Sequence, residues 1–510
     1  MRKTTVILFA FIVSILVSQV SHAENVVQVE SLNLKLKAAN AGWIAKDTGI
    51  SGLSKAEARR MMGLRRLKGP DVEFTNPNAV KALANLPSSI DWRNKDGKNW
   101  ISPILNQANC GSCVAFAAIG VMESQYNIAA ALPSLNVKLS PQNLFACGGG
   151  MCDWGWMPGP AANFLQKTGV TDEACMPYQS GATGGDVKCS AACPDAAQRT
   201  VRISSYATPT RSVTDVDAVK LALQKGPVVT TLSVYADFMA YGGGVYRHVT
   251  GDELGGHAIS IIGYDDATQS FIIRNSWGKS WGEDGFGQVS YSDVSGVGDD
   301  TWSYEIASPA GAISIESPRD YSYFTAHIPW NSVSTFSGTA VQSATAYDKS
   351  GKAMSTGTCS TASCAQDIDV SGWADGRYEM TITAMNSVGA SLGSSMRQFF
   401  YVANSKPQLS VSFTGASGTD LSKDVTGRIV FAITTTSSSV PMSALEFHYR
   451  GPDGKERVST AGIVLNQMTM GWRTNLVPNG AYDIWMVGHV KTNGMTASVE
   501  SAHRTVHTKN

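Results

Sequence analysis

The sequence predicts an α+β domain over residues 87–308 followed by two all-β sandwich domains, at 309–404 and 405–510. Three observations predict it. An unbroken apolar run follows Cys113, and the strand-like runs "HAISIIGYDD", "SFIIRNSWG" and "FGQVSYSDV" come only later. Helices first and strands afterwards mark an α+β domain. From about Pro309 the texture changes: Ser, Thr and Gly rise and short alternating strands dominate. Within that tail, "GWADGRYEMTITAMNSVG" at 372–389 is echoed by "LVPNGAYDIWMVGHVKTNG" at 476–494. The two glycines are 480 − 376 = 104 residues apart, and Tyr378 and Tyr482 keep the same spacing.

At the N-terminus, Arg2 and Lys3 precede a short apolar core, Val6 to Val17, and small residues at Ser21-His22-Ala23. That is the pattern of a signal peptide, residues 1–23, and it is too short to favour a spanning helix. The expectation is bacterial-type export and a secreted, extracellular protein with no membrane span after signal removal. Residues 24–86 are too few to hold a core alone and must pack on something else or be removed. Within them Ser54 and Glu57 have capping-box spacing and Gly63 suits a helix stop, which predicts a helix from Lys55 to Met62.

The chain of 510 residues carries 41 Lys+Arg and 41 Asp+Glu, a net charge of zero. A nucleic-acid partner would want a basic surface, so none is expected. In the tail, a turn glycine, a tyrosine and an alternating strand are what an immunoglobulin-like sandwich shows near its later strands. A repeat of roughly 100 residues matches that domain's size. The break falls near "ANSKPQ", residues 403–408. The tail offers no chemistry of its own. The expectation is a surface or polymer ligand, with Trp330 and Trp373 as candidate contacts, each more readily a core aromatic.

The chemistry lies in "QANCGSCVAFA", residues 107–117. Cys113 opens the apolar helix, where the dipole and free N–H groups favour a thiolate. Gln107 can aim its amide NH2 at the same place. His257 enters an apolar strand, and Asn275 follows another, just before Trp277 and Trp281. An asparagine can hold an imidazole tautomer, and a tryptophan can shield that hydrogen bond from water.

Together these pieces resemble the papain-like cysteine peptidases of the papain/cathepsin family. The resemblance rests on "DWRN", "QANCGSC" with "AF", "LSPQNLFAC", "GPVVTTLSVYADFMAYGGGVY", "GGHAISIIGYDD" and "RNSWGKSWGEDGFG". The order Gln, Cys, His, Asn is the family's, with separations of 257 − 113 = 144 and 275 − 113 = 162. The resemblance implies a two-lobed domain, one lobe helical and one β-barrel-like. It implies Cys113 as nucleophile, His257 as base and acid, Asn275 orienting the histidine, and Gln107 with the Cys113 N–H as oxyanion hole. A Cys113 thiolate paired with a His257 imidazolium would attack a peptide carbonyl and pass through a thioester. Gly155 would pair its backbone with an extended substrate, and Trp277 would border that site. Residues 24–86 would be a propeptide that blocks the cleft of a zymogen. A protein or peptide substrate, endopeptidase action, a monomer, and neither cofactor nor metal complete the expectation. The sequence departs from the family at Val114, at Trp154 where a glycine is usual, and at Gly256 before the histidine.

The nine cysteines leave one over in an oxidising compartment. The resemblance implies Cys110–Cys152 and Cys147–Cys189. By parity alone, Cys175 pairs with Cys193 and Cys359 with Cys364, leaving Cys113 free. Other readings exist. A redox Cys110–Cys113 dithiol would want a βαβ context, which is not visible. A zinc site would want a second tight pair, but Cys147 and Cys152 are four residues apart inside. A catalytically inactive papain-fold adhesin or binding protein is the main alternative.

Overall fold

A computed structural model describes residues 27–65, 86–133, 135, 137–211, 214–307, 310–416, 419–461, 467–474 and 477–510. The signal-peptide reading of residues 1–23 lies outside the described residues. No described helix is long and apolar enough to cross a membrane.

The N-terminal segment begins with α1 (Val29–Ala38), β1 (Trp43–Ala45) and α2 (Lys55–Arg60). The Ser54 hydroxyl accepts from the Glu57 N–H, and the Glu57 carboxylate accepts from the Ser54 N–H, a complete capping box. The helix ends two residues earlier than its sequence suggests, at a Met61 cap. Gly63 is therefore not its stop. Trp43 is buried, donates its indole N–H to the Arg247 carbonyl at 2.9 Å, and packs against Tyr241 and Tyr246. Trp43 and α2 thus fasten this segment to the following domain.

In that domain β2 (Ser89–Asp91) leads to α3 (Cys113–Ala129), α4 (Pro141–Gly148) and α5 (Pro158–Lys167). Nearly all of α3 is buried, as its continuous apolar run requires. The strands follow: β3 (Ser205–Ala207), β4 (Val228–Tyr235), β5 (Tyr241–Tyr246), β6 (Glu253–Asp265), β7 (Ser270–Arg274), β8 (Phe286–Ser290) and β9 (Thr301–Glu305). They form one nine-stranded sheet in the order β1-β5-β8-β7-β6-β4-β9-β3, with β2 beside β6. One core lies within the sheet lobe. A second joins α3, α4 and α5 to Val229, Ala258 and Trp302 of the sheet. The seam between the helices and β6 is where the functional side chains meet.

The described elements of the C-terminal region are all strands. A three-stranded and a six-stranded sheet over 313–402 enclose one core, and a three-stranded and a five-stranded sheet over 409–508 enclose another. Trp330 is fully buried and offers no binding face, while Trp373 is half-buried, packed on the first of these cores against Tyr378. Tyr378 and Tyr482, the repeated pair, each donate a hydroxyl proton to the carbonyl four residues upstream, at Ala374 and Pro478.

The first β unit is joined to the helical lobe by polar groups. Arg199 pairs with Asp172 and with Glu379, Arg377 donates to the Ala174 carbonyl, and the Tyr321 hydroxyl donates to Glu173. Burial pushes the Glu173 carboxyl up to about 8 and that of Asp320 up to about 7. These groups bind protons in the folded chain that the unfolded chain has released. Their contribution is therefore fully present below about pH 4 and is lost as pH rises through 7 to 8. The thermal midpoint of the full chain is expected to fall by several degrees between pH 5 and pH 8.5. A Glu173→Gln, Asp320→Asn double variant should flatten that fall; an unchanged profile would remove these carboxyls from the account.

Candidate active site

Cys113 is the first residue of α3, behind Ser112, and is fully buried. Its sulfur faces four backbone N–H groups: those of Ala258, Gly63, Val114 and its own. Burial nevertheless pushes the thiol up to about 11. It is the one cysteine without a bridge. Cys110 pairs with Cys152, Cys147 with Cys189, Cys175 with Cys193 and Cys359 with Cys364.

His257 lies on β6 and Asn275 directly follows β7, its neighbour in the sheet. Their Nε2···Oδ1 distance is 2.8 Å. The same Asn275 oxygen accepts from the Ser276 N–H at 2.8 Å, so it is the acceptor in both bonds and His257 donates from Nε2. The neutral ring then carries its free lone pair on Nδ1, which is buried and has no partner among the described residues. Because the next residue's N–H faces the Cys113 sulfur, ring and thiol share one pocket. Burial pushes the imidazole down to about 4, against the opposing pull of Asn275. Burial thus disfavours charge on both groups in this covered state.

Trp277 stacks on His257 with ring centres 4.6 Å apart and is 1% exposed. It covers the His257–Asn275 bond and has no free face to border a substrate. Gln107 is also fully buried. Its Oε1 accepts from the Ser276 hydroxyl at 2.6 Å, which orients the amide. Its Nε2 donates to the Cys110 and Met61 carbonyls at 3.0 and 2.9 Å. Tyr178, from the opposite side, donates to the Gln107 carbonyl and bonds the Ser112 hydroxyl.

The N-terminal segment lies across this pocket. Trp156 donates its N–H to the Gly63 carbonyl at 2.7 Å and accepts from the Arg65 N–H at 2.9 Å. Leu64 donates to the Gly256 carbonyl at 3.1 Å. The segment's backbone bonds thus fall on Trp156, next to Gly155. Gly155, at φ +69°, supplies room instead: a Cβ there would stand 2.0 Å from the Gly63 carbonyl oxygen. Ser276, Trp156 and Gly63 were missed in the sequence. Ser276 and Trp156 do adjoin the singled-out Asn275 and Gly155, but nothing in their type announces a role.

A sequence profile described as "Papain family cysteine protease" matches residues 86–304. "Cathepsin B-like CP3" of Giardia intestinalis is 36% identical over 272 residues, covering 51% of this chain and 88% of that protein. The chain belongs to the papain family of cysteine proteases. It is a cysteine-type peptidase. "Cathepsin B-like CP2" of the same organism is 35% identical over 271 residues, covering 51% and 87%. Among solved structures, "proCathepsin B S9 from Trypanosoma congolense" is 26% identical, covering 55% of this chain and 99% of that one, with a TM-score of 0.46. The match to the papain family ends at residue 304, so the all-β region lies beyond it.

Proposed function

We propose that this chain is an exported zymogen of a papain-type endopeptidase. In it Cys113 is the nucleophile, His257 the base and acid, Asn275 its orienting partner, and Gln107 with the Cys113 N–H the oxyanion hole. The supporting observation is the bare, buried Nδ1 of His257, on a ring fixed by Asn275, beside the single unbridged thiol. Residues 24–86 are the blocking propeptide. Met61 presents a carbonyl to Gln107 Nε2, as a substrate carbonyl would, but Gly63 holds an N–H group, not a carbonyl carbon, against the sulfur. Once the segment leaves, water and substrate reach the pocket, the ion pair becomes favourable, and the thiolate attacks a peptide carbonyl. The acyl thioester is then hydrolysed by water. The domains at 309–404 and 405–510 are read as immunoglobulin-like sandwiches that hold a surface or polymer.

The covered state should also shield the thiol from reagents. Labelling of Cys113 by a thiol-directed epoxide measures this. The intact chain should label slowly at pH 7, while the chain cut after residue 86 labels rapidly. Equal rates for intact and cut chains at pH 7 would overturn the blocking role. Absence of label in the cut chain would favour the inactive-adhesin alternative.

A further inference from the structure

The N-terminal segment, read as an occupant of the substrate groove, reports what that groove accepts. Gly63 lies against the Cys113 sulfur. The two hydrogen bonds to Trp156 set Leu64 beside it in parallel register. Leu64 and Arg65 follow Gly63 in the chain, so the segment runs opposite to a substrate whose amino-terminal side fills these positions; counted outward from the thiol, Leu64 is second and Arg65 third. Leu64 packs into the helical-lobe core, close to Gly256, where an added Cβ would meet its Cδ2 at 3.0 Å. The second position is therefore apolar.

The third position differs. Arg65 lies over the indole of Trp154, its guanidinium carbon 4.8 Å from the ring centre. Arg65 makes no ion pair among the described residues, so the ring face is what meets its charge. Of the chain's twelve tryptophans, Trp154 alone is strongly exposed, at 60%. Burying such a ring is ordinarily favourable, and an indole left in water at the rim of a groove is a surface offered to something else. Its position is fixed. The Trp154 and Gly155 N–H groups both donate to the Met151 carbonyl, closing a tight turn, and the adjacent Cys152 is bridged to Cys110.

We propose that Trp154 is a specificity-determining residue whose indole face selects an arginine or lysine side chain. That side chain belongs to the third substrate residue on the amino-terminal side of the scissile bond. This rests on the reading of Met61–Arg65 as occupying the substrate groove. A cation over an exposed indole favours binding by about two- to fivefold. Guanidinium outranks ammonium there because its flat face can stack on the ring.

The test uses the full chain processed to remove residues up to 86, with fluorogenic peptide amides that share leucine at the second position. The third residue is arginine, lysine, or citrulline, which keeps arginine's shape without its charge. For the unaltered protein the kcat/KM ratio of arginine to citrulline should be about two to five. It should fall to near one in Trp154→Ala and be largely kept in Trp154→Phe. Since each ratio is taken within one variant, partial loss of folded protein cancels. A ratio near one in the unaltered protein, or a ratio that survives in Trp154→Ala, overturns the cation-selecting role while leaving the peptidase assignment intact. A processed chain that cleaves none of these peptides overturns both this inference and the groove reading beneath it.

Discussion

Replacing Cys113 by alanine should lower kcat/KM of the processed chain for a peptide substrate by about 10⁴-fold or more. The sulfur is the proposed bond-forming atom, and no other side chain in the pocket is placed to substitute for it. His257 keeps its hydrogen bond to Asn275 in this variant, so the pocket loses one small group from a packed wall rather than its framework. Gln107→Ala should cost less, about 10²–10³-fold, because the Cys113 N–H remains as a second donor to the developing oxyanion. That loss should fall on kcat rather than KM, since the interaction strengthens only in the transition state. Gln107 also receives the Ser276 hydroxyl, so circular dichroism must accompany the kinetics to separate lost donation from a loosened loop. Hydrolysis that persists in Cys113→Ala would overturn the assignment of the nucleophile.

The legible parts of the molecule were those fixed by residue type and order. Cys113 at the head of an apolar run announced a helix start, and the apolar strands around His257 and Asn275 announced sheet. That these strands are neighbours, β6 beside β7, follows from their closeness in the chain. The tail's alternating pattern was legible for the same reason, since period two reports one buried face. Less legible was everything that depends on close backbone approach. Gly63 read as a helix stop because nothing in a sequence tells a capping glycine from one that must admit another chain. That the segment bonds Trp156 rather than the neighbouring glycine is hidden likewise, since the type of neither residue sets which backbone groups pair. The protonation of the pair was illegible for another reason. A thiol and an imidazole at a helix start suggest an ion pair, but burial beneath a separate segment disfavours both charges, and burial is a property of the folded whole.

Gly63→Val is expected to open the site of the uncut chain. A Cβ built on Gly63 would stand 1.8 Å from the Gly111 carbonyl oxygen and 2.2 Å from its carbon. Those atoms are backbone and cannot swing aside as a flexible side chain could. Gly111 is itself held, its N–H donating to the Cys152 carbonyl at 3.0 Å and its neighbour Cys110 bridged to Cys152. The wall is therefore rigid, and the segment must lift. Overpacking of this kind costs at least about 1–3 kcal/mol, enough to raise the uncovered population by roughly 10- to 100-fold. Met61, Leu64 and Arg65 would withdraw together, because their bonds to Gln107, Gly256 and Trp156 all depend on Gly63 lying flat. Trp43 and α2 anchor the segment elsewhere and should stay docked. The expected result is an intact chain whose Cys113 labels 10- to 100-fold faster at pH 7 with an unchanged thermal midpoint for the body of the domain. Gly42→Ala is the matched control, since a Cβ there meets nothing within 4 Å, although its φ of +75° makes that substitution mildly strained. If Gly63→Val labels no faster than this control, the segment is not what keeps the thiol covered.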